Sequence, residues 1–179
     1  MWITALKKMR IPDSAQHQLL WTYFPQLQKQ EGAQRPFCFR DTGEDILMLS
    51  NVKPTTDSKE IVFQPGQTLM FECRASIGSR KYKDKIYKPQ DFTSDHTKEW
   101  FRNRLKDVAD VNYVTFKKCS PHIIIDSTGR KSRIPFNQTL FYGTLTVIDA
   151  EKFDEIVGHG IGSGGAYGFG ALILPQVMT

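Results

Sequence analysis

Seven of the chain's 13 glycines stand in the run Gly158-His159-Gly160-Ile161-Gly162-Ser163-Gly164-Gly165-Ala166-Tyr167-Gly168-Phe169-Gly170. Such a stretch does not hold a regular helix or strand, because glycine loses more backbone freedom on ordering than any other residue. It serves where the backbone bends sharply or approaches another group closely, and its neighbours decide which. Upstream, Asp149 is placed to cap a short helix carrying Phe153, Ile156 and Val157, with Gly158 ending it. Downstream, Ala171 to Leu174 reads as a last apolar strand. Dinucleotide and P-loop fingerprints leave a strand and open a helix. This loop runs the other way and has no Lys followed by Ser or Thr, which argues against a nucleotide-binding enzyme built on it. Two uses remain: a sharply bent connection, or exposed amides that meet phosphate oxygens.

The rest of the chain reads as two similar halves. Met1 to Lys8 has a mixed strand pattern and leads to a helix start at Pro12-Asp13-Ser14. The helix runs to about Phe24, with Leu19, Leu20, Tyr23 and Phe24 as its buried stripe, and Pro25 stops or kinks it. Two strands, Phe37 to Arg40 and Ile46 to Leu49, flank the turn Asp41-Thr42-Gly43-Glu44. Thr68 to Arg74 follows as the final strand of this half, whose second helix is short or missing near Thr55 to Lys59. In the second half Ser94 or Asp95 caps a helix with Phe101, Leu105, Val108 and Ala109 on one face. Strand patterns follow at Asn112 to Lys118, His122 to Asp126 and Thr139 to Ile148. The expected fold class is α+β, with two tandem ferredoxin-like (βαββαβ, RRM-like) domains and a C-terminal Gly-rich loop. The first domain spans 1–76, a basic linker loop 77–93, and the second domain 94–179.

Charge narrows the partner. The 24 Lys and Arg exceed the 19 Asp and Glu by only five among 179 residues, but they are segregated. Lys7, Lys8 and Arg10 form one block; Arg74, Arg80, Lys81, Lys83, Lys85 and Lys88 face only Asp84 in the second. Lys98, Arg102, Arg104 and Lys106 make a third, and Lys117, Lys118, Arg130, Lys131 and Arg133 a fourth. Acidic residues collect at Asp41 to Glu60 and Asp149 to Glu155. Clustered cations gain most from releasing counterions of a polyphosphate, so the expected partner is a polyanion. Cys38, Cys73 and Cys119 are odd in number and widely spaced, which offers neither a disulfide framework nor a metal knuckle and points to a reducing cytoplasm. No apolar run approaches the ~20 residues of a membrane span.

Among the four histidines, His17 lies at the edge of the buried helix stripe near Trp21, in the first turn. There the helix field attracts phosphate and disfavours an extra proton on the ring. A neutral imidazole beside a phosphodiester can remove a ribose 2′-OH proton, worth roughly 10² to 10⁴-fold in rate. From the residue alone, a packed helix-edge histidine fits as well. His96, His122 and His159 read as structural, and no histidine pair has metal-ligand spacing, so neither a metal nor a cofactor is expected.

Together the Gly-Ile-Gly-x-x-x-x-x-Gly-x-Gly loop at 160–170, the helix Asp13-Ser14-Ala15-Gln16-His17-Gln18-Leu19-Leu20-Trp21-Thr22-Tyr23-Phe24-Pro25, and the segments Arg35 to Arg40 and Leu140 to Asp149 resemble the CRISPR repeat-processing endoribonucleases of Cascade-type (type I-E-like) systems, within the RAMP superfamily. The resemblance implies binding of a CRISPR repeat RNA stem-loop and metal-independent cleavage at its base, with His17 catalytic and a 2′,3′-cyclic phosphate formed. It also implies retention on the mature crRNA beside other subunits of a Cascade-like effector complex. The family often carries Tyr where this chain has Ser14, and Lys in the loop where it has Gly165. Lys7, Lys8 or Arg10 is the expected source of the missing cation. Expected RNA contacts are Lys7, Lys8, Arg10, the Tyr-interleaved cations Arg80, Lys81, Lys83 and Lys85, Arg102, the basic turn Arg130, Lys131 and Arg133, and the amides of Gly160, Gly162, Gly164 and Gly165. The competing reading is a non-catalytic RNA-binding subunit of the same superfamily.

Overall fold

A computed structural model describes residues 1–8, 13–28, 35–77, 93–119, 122–127, 130–135 and 138–178, with the backbone alone at 13, 14, 28, 122–127 and 130–135. The first half contains β1 (Trp2–Lys7), α1 (Asp13–Trp21), α2 (Pro25–Gln28), β2 (Phe37–Asp41), β3 (Asp45–Ser50) and β4 (Lys59–Glu60). Its strands form an antiparallel sheet in the order β2-β3-β1-β4. That is the ferredoxin-like order, and residues 51–58 carry no second helix, as the sequence pattern suggests. The turn between β2 and β3 closes on Gly43, whose φ of 100° suits glycine.

The second half runs β5 (Thr68–Ser76), α3 (Ser94–Arg104), β6 (Ala109–Lys118), a hairpin of β7 (His122–Ser127) and β8 (Arg130–Pro135), β9 (Gln138–Val147), α4 (Ala150–His159) and β10 (Leu172–Ile173). Its sheet order, β10-β5-β9-β6, repeats the first, with the β7–β8 hairpin inserted as a separate ribbon.

Several boundaries depart from expectation. Thr68 to Arg74 does not complete the first half: β5 pairs with β9 from Thr68↔Thr146 to Ser76↔Gln138 and is an inner strand of the second sheet. The reason is packing, since Leu69, Phe71, Cys73 and Ala75 are buried on one face, with Phe71 stacked 4.9 Å from Phe101 of α3. The change of sheet falls between β4 and β5, so residues 68–76 of the segment expected as the first domain build the second sheet. The expected linker joins β5 to α3, and of it only Ile77 and Thr93 lie among the described residues. The cap of α3 is Thr93, whose Oγ1 accepts from the His96 amide at 3.4 Å, rather than Ser94 or Asp95. Asp149 caps α4 as expected, but the helix continues to His159 and Gly160 ends it at φ 84°.

Alternation along β2 and β3 gives the first sheet two buried faces. Phe37, Phe39, Ile46 and Met48 pack with Leu20 and Phe24 of the α1 region. On the other face Ile3, Cys38 and Leu49 join Phe153 and Val157 of α4 in a core that continues through the second half. The seam between halves is hydrogen-bonded: the Asn51 amide donates to the Asp154 carbonyl at 2.8 Å and the Cys38 thiol to the Val157 carbonyl at 3.1 Å. Burial pushes the Cys38 thiol up to about 12, so it remains protonated at neutral pH. An Arg40–Glu72 ion pair at 2.7 Å ties β2 to β5. Among the described residues no helix is long and apolar enough to cross a membrane.

Candidate active site

The sequence of α1 decides what His17 can do. Leu20 and Phe24 are fully buried, and Phe24 stacks on Phe37 with ring centroids 5.3 Å apart while Trp21 meets it edge-on at 5.6 Å. Gln16 is buried too, so the inner stripe is Gln16, Leu20 and Phe24 rather than one running through Leu19 and Tyr23, which are only partly covered. This rotation leaves His17 half-buried, its ring 5.9 Å from Phe37 and tilted by 42°. Asp41 fixes the orientation: it accepts from Gln16 Nε2 at 3.3 Å and from the Gly43 amide at 2.8 Å, and pairs with Lys8 at 2.5 Å.

Burial, followed by the positive field of Arg35, lowers the His17 pKa below 6.5. The imidazole is therefore neutral near pH 7 and can accept a proton. The cause differs from the sequence expectation. His17 is the fifth residue of α1, beyond the first turn in which a helix terminus acts strongly. Ser14 sits in that first turn, three residues before His17, and its side chain lies outside the described atoms.

The Gly-rich loop folds back on itself at the seam. Ile161 donates to the Gly170 carbonyl and Gly170 to the Arg74 carbonyl, both at 2.8 Å. Gly164 and Gly168 bracket a single 3-10 turn, Gly165–Tyr167. Of the four glycines expected to meet RNA, Gly160 packs on Cys38, Gly162 on the Trp100 ring, and Gly164 opens the 3-10 turn. At Gly165 a Cβ would overlap Nη2 of Arg35, so the guanidinium occupies the space that a side chain there would take. The Arg35 guanidinium lies 5.5 Å above the Phe37 ring, the ring that also faces His17. His17, Arg35, Phe37 and Gly165 thus form one cluster drawn from both halves. The sequence reading placed Arg35 inside a matching motif without giving it a role.

The other expected contacts scatter. Lys7 pairs with Asp45 at 2.9 Å yet is 86% exposed, a surface pair that a polyanion can compete for. Lys8 is held by Asp41, which argues against its supplying the missing cation. Arg102 is exposed in the last turn of α3. Arg130, Lys131 and Arg133 lie along β8, opposite Ser127, Asp126 and Ile124 of β7, rather than in a turn, and β7 passes beside α1. Arg10, Arg80, Lys81, Lys83 and Lys85 lie outside the described residues. A separate cavity of about 470 Å³ is lined by Trp100, Arg104, Ile156 and the Gly160–Ser163 side of the loop, without His17 or Arg35. Among the described residues no three of His, Cys, Asp and Glu are grouped to hold a metal ion.

A family model described as CRISPR associated protein matches residues 7–175. No curated protein sequence matches. Among solved structures, the chain is similar to the CRISPR-associated protein Cas6e of Escherichia coli K-12 at 23% identity and a TM-score of 0.68, covering 97% of this chain and 98% of that one. It is similar to Thermus thermophilus Cse3 bound to an RNA representing a pre-cleavage complex at 18% identity, TM-score 0.70 and 97% and 98% coverage. A chain of a CRISPR RNA-guided surveillance complex gives 16% identity, TM-score 0.68 and the same coverage. At these identities the likeness is one of fold.

Proposed function

The chain belongs to the CRISPR associated protein family, and from that membership and the cluster around His17 we propose that it is the endoribonuclease that processes CRISPR repeat RNA. It holds a repeat stem-loop, cuts at the base of the stem, and stays on the mature crRNA as a subunit of a Cascade-like complex. The observation that carries the reading is His17: half-buried, neutral, and set at the seam beside a cation. The fold shared with an RNA-bound Cse3 and with a chain of an RNA-guided surveillance complex supports the choice of partners.

The chemistry follows from the neutral imidazole. His17 takes the 2′-OH proton of the nucleotide before the cut, the 2′ oxygen attacks the adjacent phosphorus in line, and the bond to the 5′ oxygen breaks. The leaving oxygen gains a proton, and the products are a 2′,3′-cyclic phosphate and a 5′-OH. This route needs proton transfer and charge stabilisation, and no metal-activated water. Ser14, one turn before His17, occupies the place where the resemblance expects Tyr, and is the nearest hydroxyl by sequence to assist. The β7–β8 hairpin, carrying Arg130, Lys131 and Arg133 beside α1, suits the phosphates of an A-form stem.

The test is cleavage of repeat hairpins in EDTA by the wild type and by His17→Ala, with a parallel substrate that is deoxy at the scissile 2′ position. The wild type is expected to cut, His17→Ala to lower the rate by roughly 10² to 10⁴-fold, and the deoxy substrate, which lacks the attacking oxygen, to give no cleavage. Cleavage that survives either change, or that requires a divalent ion, refutes the mechanism. Tight binding without any cleavage by the wild type would favour a non-catalytic RNA-binding subunit.

A further inference from the structure

Arg35 is a partly buried cation at the seam. Lys7, Lys8, Arg40 and Lys152 each pair with a carboxylate, whereas Arg35 has no carboxylate partner among the described residues. Its guanidinium rests on the Phe37 face at 5.5 Å, and Cζ and Nη1 stand 2.8 and 2.9 Å from where a Cβ of Gly165 would be. Withdrawing a charge from water without a partner is costly. The Phe37 ring carries both the Arg35 guanidinium and the His17 imidazole, so a phosphodiester brought to that histidine comes to the cation as well. A guanidinium stays charged at any ordinary pH, and its planar fork matches two oxygens of one phosphate.

We propose that Arg35 is a catalytic residue of this chain: its fork holds the non-bridging oxygens of the scissile phosphate and stabilises the charge that grows there as the 2′ oxygen attacks, in the room that Gly165 leaves by lacking a side chain. The assignment rests on the endoribonuclease reading above. Its geometry also explains how the chain does without a lysine at 165, since a side chain at that position and the Arg35 fork would compete for one space. Gly165 has no positive φ that would bar a larger residue, so the exchange can be made in reverse.

The experiment measures single-turnover cleavage of a repeat hairpin that the wild type cuts, and affinity for the same hairpin made deoxy at the scissile position. The variants are His17→Ala, Arg35→Gln, Arg35→Lys, and Arg35→Gln combined with Gly165→Lys. Arg35→Gln is expected to cut roughly 10² to 10³-fold more slowly, the loss typical of removing one transition-state donor, while its affinity for the deoxy hairpin falls by less than about tenfold. Adding Gly165→Lys is expected to recover at least about tenfold of the lost rate, by placing an ammonium in the vacated space. The acidic limb of the rate profile is expected to move to higher pH in Arg35→Gln, because a positive neighbour that disfavours protonation of His17 is gone. If Arg35→Gln melts below the assay temperature, Arg35→Lys carries the test, with a loss of about tenfold or more at unchanged affinity expected for a bidentate contact. Cleavage within about threefold of wild type in a folded Arg35 variant, or a rate loss matched by equal loss of affinity with no movement of the pH limb, overturns the assignment. His17-dependent cleavage that ignores Arg35 defeats this inference alone. A wild type that does not cut, or a His17→Ala variant that cuts as well, defeats the reading beneath it as well.

Discussion

His17 owes its chemistry to one ring behind it. Phe37 removes water from one side of the imidazole and supports Arg35 above the same sheet position, and both effects disfavour the imidazolium. The sign of the pH dependence follows. A base must be neutral to act, and the folded pKa lies below the ordinary 6.5, so kcat/KM for repeat cleavage is expected to hold through neutral pH and fall only under more acid conditions. That limb reports the free protein's base, and finding it above pH 6.5 would contradict the lowering. Much of this residue was legible in the sequence, because a histidine at the margin of a Leu-Leu-x-x-Tyr-Phe stripe must be half-covered. Arg35 was not, because its significance depends on a glycine in the other half, and no local pattern links the two.

Strand periodicity told where strands lie but not which sheet each joins. Thr68 to Ser76 alternates apolar and polar as a last strand of the first half would, and only its nine-residue register with β9 places it in the second. The loop's glycines were visible as a cluster, yet the reason for each is a close approach that only the fold creates. Gly143 gives the same lesson inside a strand. The pairing of β6 with β9 slips between Asp110 and Tyr113, and a Cβ at Gly143 would run into the Tyr113 carbonyl. Backbone has little room to yield, so Gly143→Ala is expected to destabilise the fold by roughly 1 to 3 kcal/mol, read from the denaturant midpoint. An unchanged midpoint would mean that the irregularity relaxes freely.

Across the whole molecule, the two halves meet through α4 and the loop, and the contact leaves little slack. A Cβ at Gly158 would strike the Asn51 side chain, whose amide holds the Asp154 carbonyl at 2.8 Å. Gly158→Ala is therefore expected to lower the melting temperature and slow cleavage more than it weakens hairpin binding, and equal effects on rate and affinity would argue against a role of the seam in alignment. Charge acts at this scale too. The segregated blocks were plain in the sequence, but their placement was not. Replacing Arg130, Lys131 and Arg133 by Glu is expected to weaken hairpin binding and flatten its dependence on salt, and unchanged affinity would remove β8 from the interface. The shared core has one more consequence, for a chain that is still folding. Ile3, Cys38 and Leu49 find their cover only when α4 arrives from the second half, and Arg35 meets Gly165 only after that docking. Under the proposed function, a half-made or half-folded chain would display its cationic segments without cutting what they attract, and ribonuclease activity would report that synthesis and folding are finished.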